Sequence, residues 1–414
     1  MHLLLCLALI SGIDVHLGGG GWTRESSILR LMSTRPGDAY DPGTLSRDLA
    51  RLRTLGVLYD VSAQVSADGA RIEVDAKDRW AIFPVAGFRR GGGRTTARFG
   101  VSDHNALFRL FTVYAELSSN ADIPFTDGRF GSYLYSEIPR IFATRFQPGF
   151  YWTRDFIDYA AFSAAGAAGY VYERARHDLR FELRYELSDQ VAVIGGADVL
   201  HDRFGTSTAT HAPGAPPPDV DNVALVAGVQ LGFVEQDLSQ SRGKELKIVV
   251  DASRAGVLGT SASVASASVT ARGFFVPRPA HNFCAQLLLQ ATTGRTDSFL
   301  FHSGGLREIR GFIDAYFEGQ LMARANLEHR VDIGRPTFVI PAIAQLAAFV
   351  DGGWVGRRAD AVAGTSYQGP IASIGVGGRY IPIPFSHAVG RLDFAVGLVP
   401  RRTFDISLSG QQFF

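Results

Sequence analysis

From Trp80 to Phe414 the chain alternates apolar residues with polar or small ones, and no stretch approaches the ~18 uninterrupted apolar residues that a membrane-spanning helix needs. Leu225, Ala227, Val229, Leu231 and Phe233 form one such row. Leu321, Ala323, Ala325, Leu327 and Val331 form another, broken by His329, with Arg324, Asn326, Glu328, Arg330 and Asp332 on the opposite face. A period of two belongs to strands with unlike faces. A chain that crosses a membrane this way must close its strands into a barrel, because lipid offers the backbone no hydrogen-bond partner. Alternation alone does not separate that case from a soluble sandwich, which buries its apolar face and wets the other. About sixteen segments can be placed between Trp80 and Phe414, an even number as in bacterial barrels.

Composition narrows the choice. Of 414 residues, 46% are hydrophobic and 20% charged, with a net charge of +1, so the chain is neither disordered nor basic enough to suggest nucleic acid. Gly (46), Phe (29) and Tyr (13) outweigh Cys (2) and Met (3), which favours turns, bulges and pleated surfaces. Two cysteines, Cys6 and Cys284, make no disulfide framework. Gly-x-Ser-x-Gly, His-Glu-x-x-His and Walker motifs do not occur, and Gly18 to Gly21 lack the Lys and Ser/Thr of a phosphate loop. His201, Asp202 and His211, in a long loop expected from His201 to Asn222, match no standard metal spacing. The chain is read as a non-enzyme with no catalytic residue, cofactor or metal.

Residues 1–12 hold an apolar run, Leu3 to Ile10, resembling the core of a secretory signal. Residues 13–78 read as a small β-α-α-β-β domain. Ile13, Val15 and Leu17 alternate as a strand, and Thr23 is expected to cap a helix reaching about Met32. Asp41-Pro42 starts a second helix, with Leu45, Leu49 and Leu52 on one face and Gly56 ending it. Val57, Tyr59, Val61, Ala63 and Val65 alternate in one strand, and Ile72, Val74 and Ala76 in the next. Asp68-Gly69 supplies the turn between them.

This segment resembles a POTRA domain, through Arg35-Pro36-Gly37-Asp38-Ala39-Tyr40-Asp41 between the helices and Leu55-Gly56-Val57-Leu58-Tyr59-Asp60-Val61 entering the second strand. Near the other end, Gly304-Gly305-Leu306-Arg307-Glu308-Ile309-Arg310-Gly311-Phe312 resembles a signature of the BamA/TamA/FhaC superfamily. It is followed by Gly319-Gln320-Leu321, Asn326-Leu327-Glu328-His329-Arg330, Phe349-Val350-Asp351-Gly352-Gly353, Gly375-Val376-Gly377-Gly378-Arg379, Leu392-Asp393-Phe394 and a terminal Phe414. The order and spacing make the resemblance specific.

The resemblance implies a mainly β protein: one POTRA domain, then a 16-stranded antiparallel transmembrane β-barrel over residues 79–414. It implies that the sixth extracellular loop folds into the lumen, with Arg310, Gly311 and Phe312 at its tip. Arg310 is expected against Asp351, with Glu328 as a second partner and Phe349 on the same strand face. The alternation agrees, since Phe349 and Asp351 lie opposite Leu346, Ala348 and Val350, and a carboxylate facing lipid is costly. Phe414 resembles a C-terminal barrel signal.

The implied role is in the bacterial outer membrane, with the POTRA domain in the periplasm. There the protein receives unfolded outer-membrane or secreted polypeptide and aids its insertion or passage. The first–last seam, about Trp80 to Phe88 against Thr403 to Phe414, would be its gate. Expected partners are client polypeptides, outer-membrane lipid and accessory assembly proteins. The alternatives are a two-partner-secretion exporter of one exoprotein and a passive porin-like barrel.

Overall fold

The computed structural model describes the chain apart from residues 1–8, 21, 92–93, 121–129, 142–143, 163–167, 207–215, 305–307, 313–316, 338–339, 357–366, 386 and 410–414. The N-terminal domain runs β1 (Gly12–Gly18), α1 (Glu25–Leu31), α2 (Pro42–Thr54), β2 (Leu58–Val65) and β3 (Arg71–Asp78). Its sheet has the order β1-β3-β2, with β1 parallel to β3 and β2 antiparallel. Ile72, Val74 and Ala76 turn one face of β3 inward onto Ile28 and Leu31 of α1 and Leu45 and Leu52 of α2. Ile10, from the apolar N-terminal run, joins that core. At the start of α2 the Asp41 carboxylate accepts from Gly43 N and Thr44 N, both at 3.0 Å, a cap worth about 1 kcal/mol.

Two local expectations are corrected. Thr23 does not cap α1, whose N-cap is Arg24 without a side-chain bond. Its N–H and hydroxyl instead donate to the Asp78 carboxylate, at 3.0 and 2.5 Å, tying the helix entry to the end of β3. In β2 the regular alternation from Val57 through Tyr59 fails. Asp60 is left-handed (φ 51°) and the register breaks between Tyr59 and Ser62, so Leu58 and Val61 are buried while Tyr59 turns out. A bulge of this kind resets which side chains face inward.

The larger unit is a closed antiparallel ring of sixteen strands. Eight are β4 (Ile82–Gly91), β5 (Arg94–Ala106), β6 (Phe111–Asn120), β7 (Gly131–Glu137), β8 (Phe146–Phe162), β9 (Ala168–Ser188), β10 (Val191–Thr206) and β11 (Val220–Asp237). Then come β12 (Gln240–Ser253), β13 (Val264–Phe275) and β14 (His281–Thr292). A long connection holding a two-stranded ribbon, β15 (Phe301–Ser303) and β16 (Phe317–Gly319), leads to β17 (Leu321–Gly334). β18 (Ala342–Gly356), β19 (Gly369–Pro382), β20 (Gly390–Val399) and β21 (Thr403–Ser409) follow, and β21 closes onto β4.

Burial resolves what alternation left open. Leu225, Leu327, Val350 and Phe404 are exposed on the outside, whereas Asn326, Glu328, Arg330 and Asp351 are buried on the inside. A soluble sandwich would have the reverse arrangement. An apolar exterior around a polar interior is the surface of a transmembrane β-barrel. The expected loop at His201 begins later than the sequence suggested. His201 and Asp202 are still strand, paired with Asp221 and Val220. Asp202 is clasped by Arg176 at 2.8 and 2.7 Å, and His211 lies outside the described residues.

The small domain sits on one rim of the barrel. Leu110, from the turn between β5 and β6, inserts into its core. Arg47 and Arg51 of α2 both reach Asp189 between β9 and β10 at 2.7 Å, and Arg53 reaches Glu235 of β11 at 2.7 Å. Leu55 O accepts from His387, between β19 and β20, at 2.8 Å.

Candidate functional site: a buried ion network in the barrel

The connection between β14 and β17 turns inward and sets Arg310 in the barrel interior, fully buried. Its guanidinium forks onto Asp351, with Nε to Oδ2 and Nη2 to Oδ1 both at 2.7 Å, while Nη1 donates to Glu328 Oε2 at 2.5 Å. The plane of the group lies over the Phe349 ring, 3.4 Å from its centroid. Arg suits this position because a rigid fork satisfies a carboxylate bidentately and can stack on an aromatic face.

The wall presents these partners through register. β17 and β18 pair Asn326 with Asp351 and Glu328 with Phe349, so all four side chains point inward side by side. Asn326 Nδ2 donates to Asp351 Oδ1 at 2.9 Å and to Glu308 O at 2.6 Å, which tethers the loop a second time. On β19, Gly375 stands opposite Phe349, and a Cβ there would fall 2.3 Å from that ring. Gly377 likewise leaves room for Asp393. The Gly-x-Gly spacing thus clears space for two inward side chains of neighbouring strands.

The tip itself is held by backbone. Gly311 has φ 89°, and a Cβ on it would lie 2.7 Å from Gly397 N. Gly311 O accepts from the Thr403 hydroxyl of β21. Phe312 meets Phe317 edge-on at 5.0 Å, in an apolar cluster with Ile309, Met322, Val355 and Ile371.

The network extends beyond the expected residues. Glu328 Oε1 also accepts from Arg330 (2.7 Å) and Arg379 (3.2 Å), and Arg379 continues to Asp393 (2.5 Å), which Arg391 holds from the other side. Four arginines thus face three carboxylates, Glu328, Asp351 and Asp393. The sequence reading brought together Arg310, Gly311, Phe312, Glu328, Phe349 and Asp351 but gave no role to Arg330, Arg379, Arg391 or Asp393. Their signal was present: each lies on the polar face of an alternating strand. Phe414 lies outside the described residues. Among the described residues no group of His, Cys, Asp and Glu is arranged to hold a metal. Each carboxylate here is paired with at least one arginine, so the arrangement is suited to fixing a loop.

A family model for POTRA, described as a surface antigen variable number repeat, matches residues 12–78. The chloroplastic outer envelope protein 80 of Oryza sativa subsp. japonica is 33% identical over 73 residues, which is 18% of this chain and 11% of that protein. The chain thus matches only about a tenth of that relative's length. CdiB from Escherichia coli has a similar fold (TM-score 0.67, 13% identity, covering 97% of this chain and 76% of that one). So does CdiB from Acinetobacter baumannii (0.60, 16%, 97% and 74%). BamA from Haemophilus ducreyi lacking POTRA domains 1-3 is also similar (0.53, 15%, 96% and 84%). At these identities the likeness to the three is one of fold.

Proposed function

We propose that this chain, a POTRA domain joined to a barrel with the fold of BamA and CdiB, works in the bacterial outer membrane as a polypeptide assembly or translocation factor. Its POTRA domain receives unfolded client in the periplasm, and its barrel aids insertion into or passage across the membrane. The observation that carries this reading is a POTRA domain with an open sheet edge joined directly to the barrel wall. β2 has β3 as its one partner among the described residues, leaving an edge that can accept an extended client strand through backbone bonds. Three residues separate the end of β3 from the start of β4. In this reading Arg310, Gly311 and Phe312 lock loop six to the wall through Asp351, Glu328 and Phe349. No chemistry on the client is required.

The test places a photo-crosslinking residue at exposed Gln64 on β2 and offers unfolded outer-membrane polypeptide. Crosslinks to client are expected, and a chain lacking residues 13–78 should keep a heat-modifiable barrel while losing client handling. Retained handling without the domain would sink the receiver role. A second reading is passage of one dedicated polypeptide through the lumen, whose inner wall holds a polar pocket of about 380 Å³ lined by Arg180, Glu182, Lys247 and Asp251. Client released outside the cell, with no effect on barrel assembly, would select it.

A further inference from the structure

The POTRA-side rim carries an aromatic patch that neither the ion network nor the open edge of β2 uses. Trp22, in the link from β1 to α1, meets Trp80 edge-on with ring centroids 5.6 Å apart and lies roughly parallel to Phe108 at 6.4 Å. The three rings remain 45–48% exposed, and the neighbouring Leu107 is 71% exposed. Large apolar side chains clustered in this way mark a surface made for a partner.

We propose that the partner is lipid: Trp22 carries the POTRA domain into the headgroup layer of the leaflet on its own side, at the foot of β4. The patch is continuous with the lipid-facing band, through Ile82 on β4 and Val101 and Phe99 on β5, all outward and exposed. The height also fits. Ile82 pairs with Asp103, whose carboxylate accepts from Asn105 N at 2.9 Å, so the apolar band ends at this level. Trp80 lies two residues lower, about 5 Å along the barrel axis for a strand of ~3.3 Å rise tilted ~40°. The polar layer on each side of the hydrocarbon is roughly 5–7 Å deep, so Trp80 and its neighbour Trp22 fall within it. Rings with a polar N–H and an apolar body are suited to that layer.

The turn between β5 and β6 supports the same placement. Leu107, Phe108 and Leu110 are left-handed, with φ of 59°, 61° and 60°, a region that leucine and phenylalanine rarely adopt. The turn uses that conformation to send Leu110 into the POTRA core while Leu107 and Phe108 point out beside Trp22. Phe108 O accepts from Arg24 N at 3.2 Å, which fixes the domain's tryptophan to the barrel's turn. Arg24 and Arg109, both exposed and two and one residues from Trp22 and Phe108 in sequence, suit phosphate headgroups.

This inference rests on the barrel lying in lipid, not on the handling of polypeptide. The test reconstitutes the full chain in vesicles of phosphatidylethanolamine and phosphatidylglycerol, with and without a headgroup nitroxide lipid. Trp22 emission is taken as the difference between wild type and Trp22→Phe, and Trp354, exposed on the outer wall, is read in the same way from Trp354→Phe. Heat-modifiable mobility confirms that both variants fold. Nitroxide should remove more than half of the emission from each residue, and acrylamide should quench Trp22 several-fold less than free tryptophan amide. Quenching of Trp354 but not Trp22 overturns the anchor alone. Quenching of neither overturns the lipid-embedded barrel as well. Trp22 shielded from acrylamide yet untouched by nitroxide would mean a protein covers the patch, which also overturns the proposal.

Discussion

Replacing Arg310 with Ala removes three charge-assisted bonds, two to Asp351 and one to Glu328. The two carboxylates are not left alike. Glu328 keeps Arg330 and Arg379, whereas Asp351 keeps the Asn326 amide and the residue-310 N–H but, among the described residues, no cation. The cost is therefore dominated by one stranded buried charge. Removing one partner of such a pair typically costs about 3–5 kcal/mol. That is roughly a 150- to 4,000-fold shift from docked toward undocked loop. Amide hydrogen exchange over residues 308–312, followed by mass spectrometry in lipid nanodiscs, reads that shift directly. Arg310→Lys keeps the charge but loses the fork, and should cost about 1.5–3 kcal/mol. Asp351→Ala added to Arg310→Ala should cost little more, because the stranded charge is gone. The double-mutant cycle should then show about 2–3 kcal/mol of coupling. The barrel should remain heat-modifiable throughout, since its ladders do not pass through the loop. If Arg310→Ala speeds exchange by less than about fivefold, near 1 kcal/mol, the lock does not hold the loop and the reasoning is wrong.

Three further outcomes are expected. Gly311→Ala should loosen the same loop by about 2 kcal/mol in the same exchange measurement, because φ 89° and the nearby Gly397 backbone both disfavour a Cβ. Arg51→Glu should release the POTRA domain, seen as faster tryptic cleavage at the buried Arg79, and Asp189→Arg should restore part of the protection. Burial raises the Asp189 carboxyl, but the hydrogen bonds and charge of Arg51 and then Arg47 outweigh it and hold it below its ordinary value. Its contribution is therefore complete above the unfolded value of about 3.9 and lost as pH falls through the lowered one, so protection of Arg79, taken relative to an unfolded substrate cleaved at the same pH, should not change between pH 8 and 5. Finally, Gly87→Cys with Ser409→Cys places thiols opposite each other across the seam, and the disulfide should block activity until reduced. Full activity with the crosslink formed would exclude lateral opening.

How far the sequence could be read depends on what each residue answers to. Strand number, the inward face of β17 and the approach of Arg310 to Asp351 were legible, because a period of two forces facing and a buried carboxylate needs a cation. The Asp41 cap of α2 was legible for the same local reason. Thr23 was misread because its partners, Asp78 and Asn105, lie 55 and 82 residues away. The bulge at Asp60 was misread because an aspartate in the left-handed region leaves no mark on an otherwise regular alternation. Arg379, Arg391 and Asp393 were visible as inward residues, but which charge meets which is set by the stagger of four strands. The docking of α2 against Asp189 and Glu235 depends on tertiary placement alone.

The ladder that joins β21 to β4 gives the seam a particular kind of barrier. Among the described residues it runs from Asp405↔Gly91 to Ser409↔Gly87, five residue pairs where β10 and β11 share twelve. Antiparallel pairing gives about one backbone bond per pair, so parting the strands in hydrocarbon would strip about ten polar groups, at several kcal/mol each. Spontaneous fluctuation does not climb a barrier of tens of kcal/mol. An incoming strand changes the arithmetic, because each bond surrendered at the seam is remade with the newcomer and the net cost of each step stays near zero. In the proposed role, a wall built this way would act as a zip that parts only as fast as it is filled. Its opening would be first order in the arriving strand.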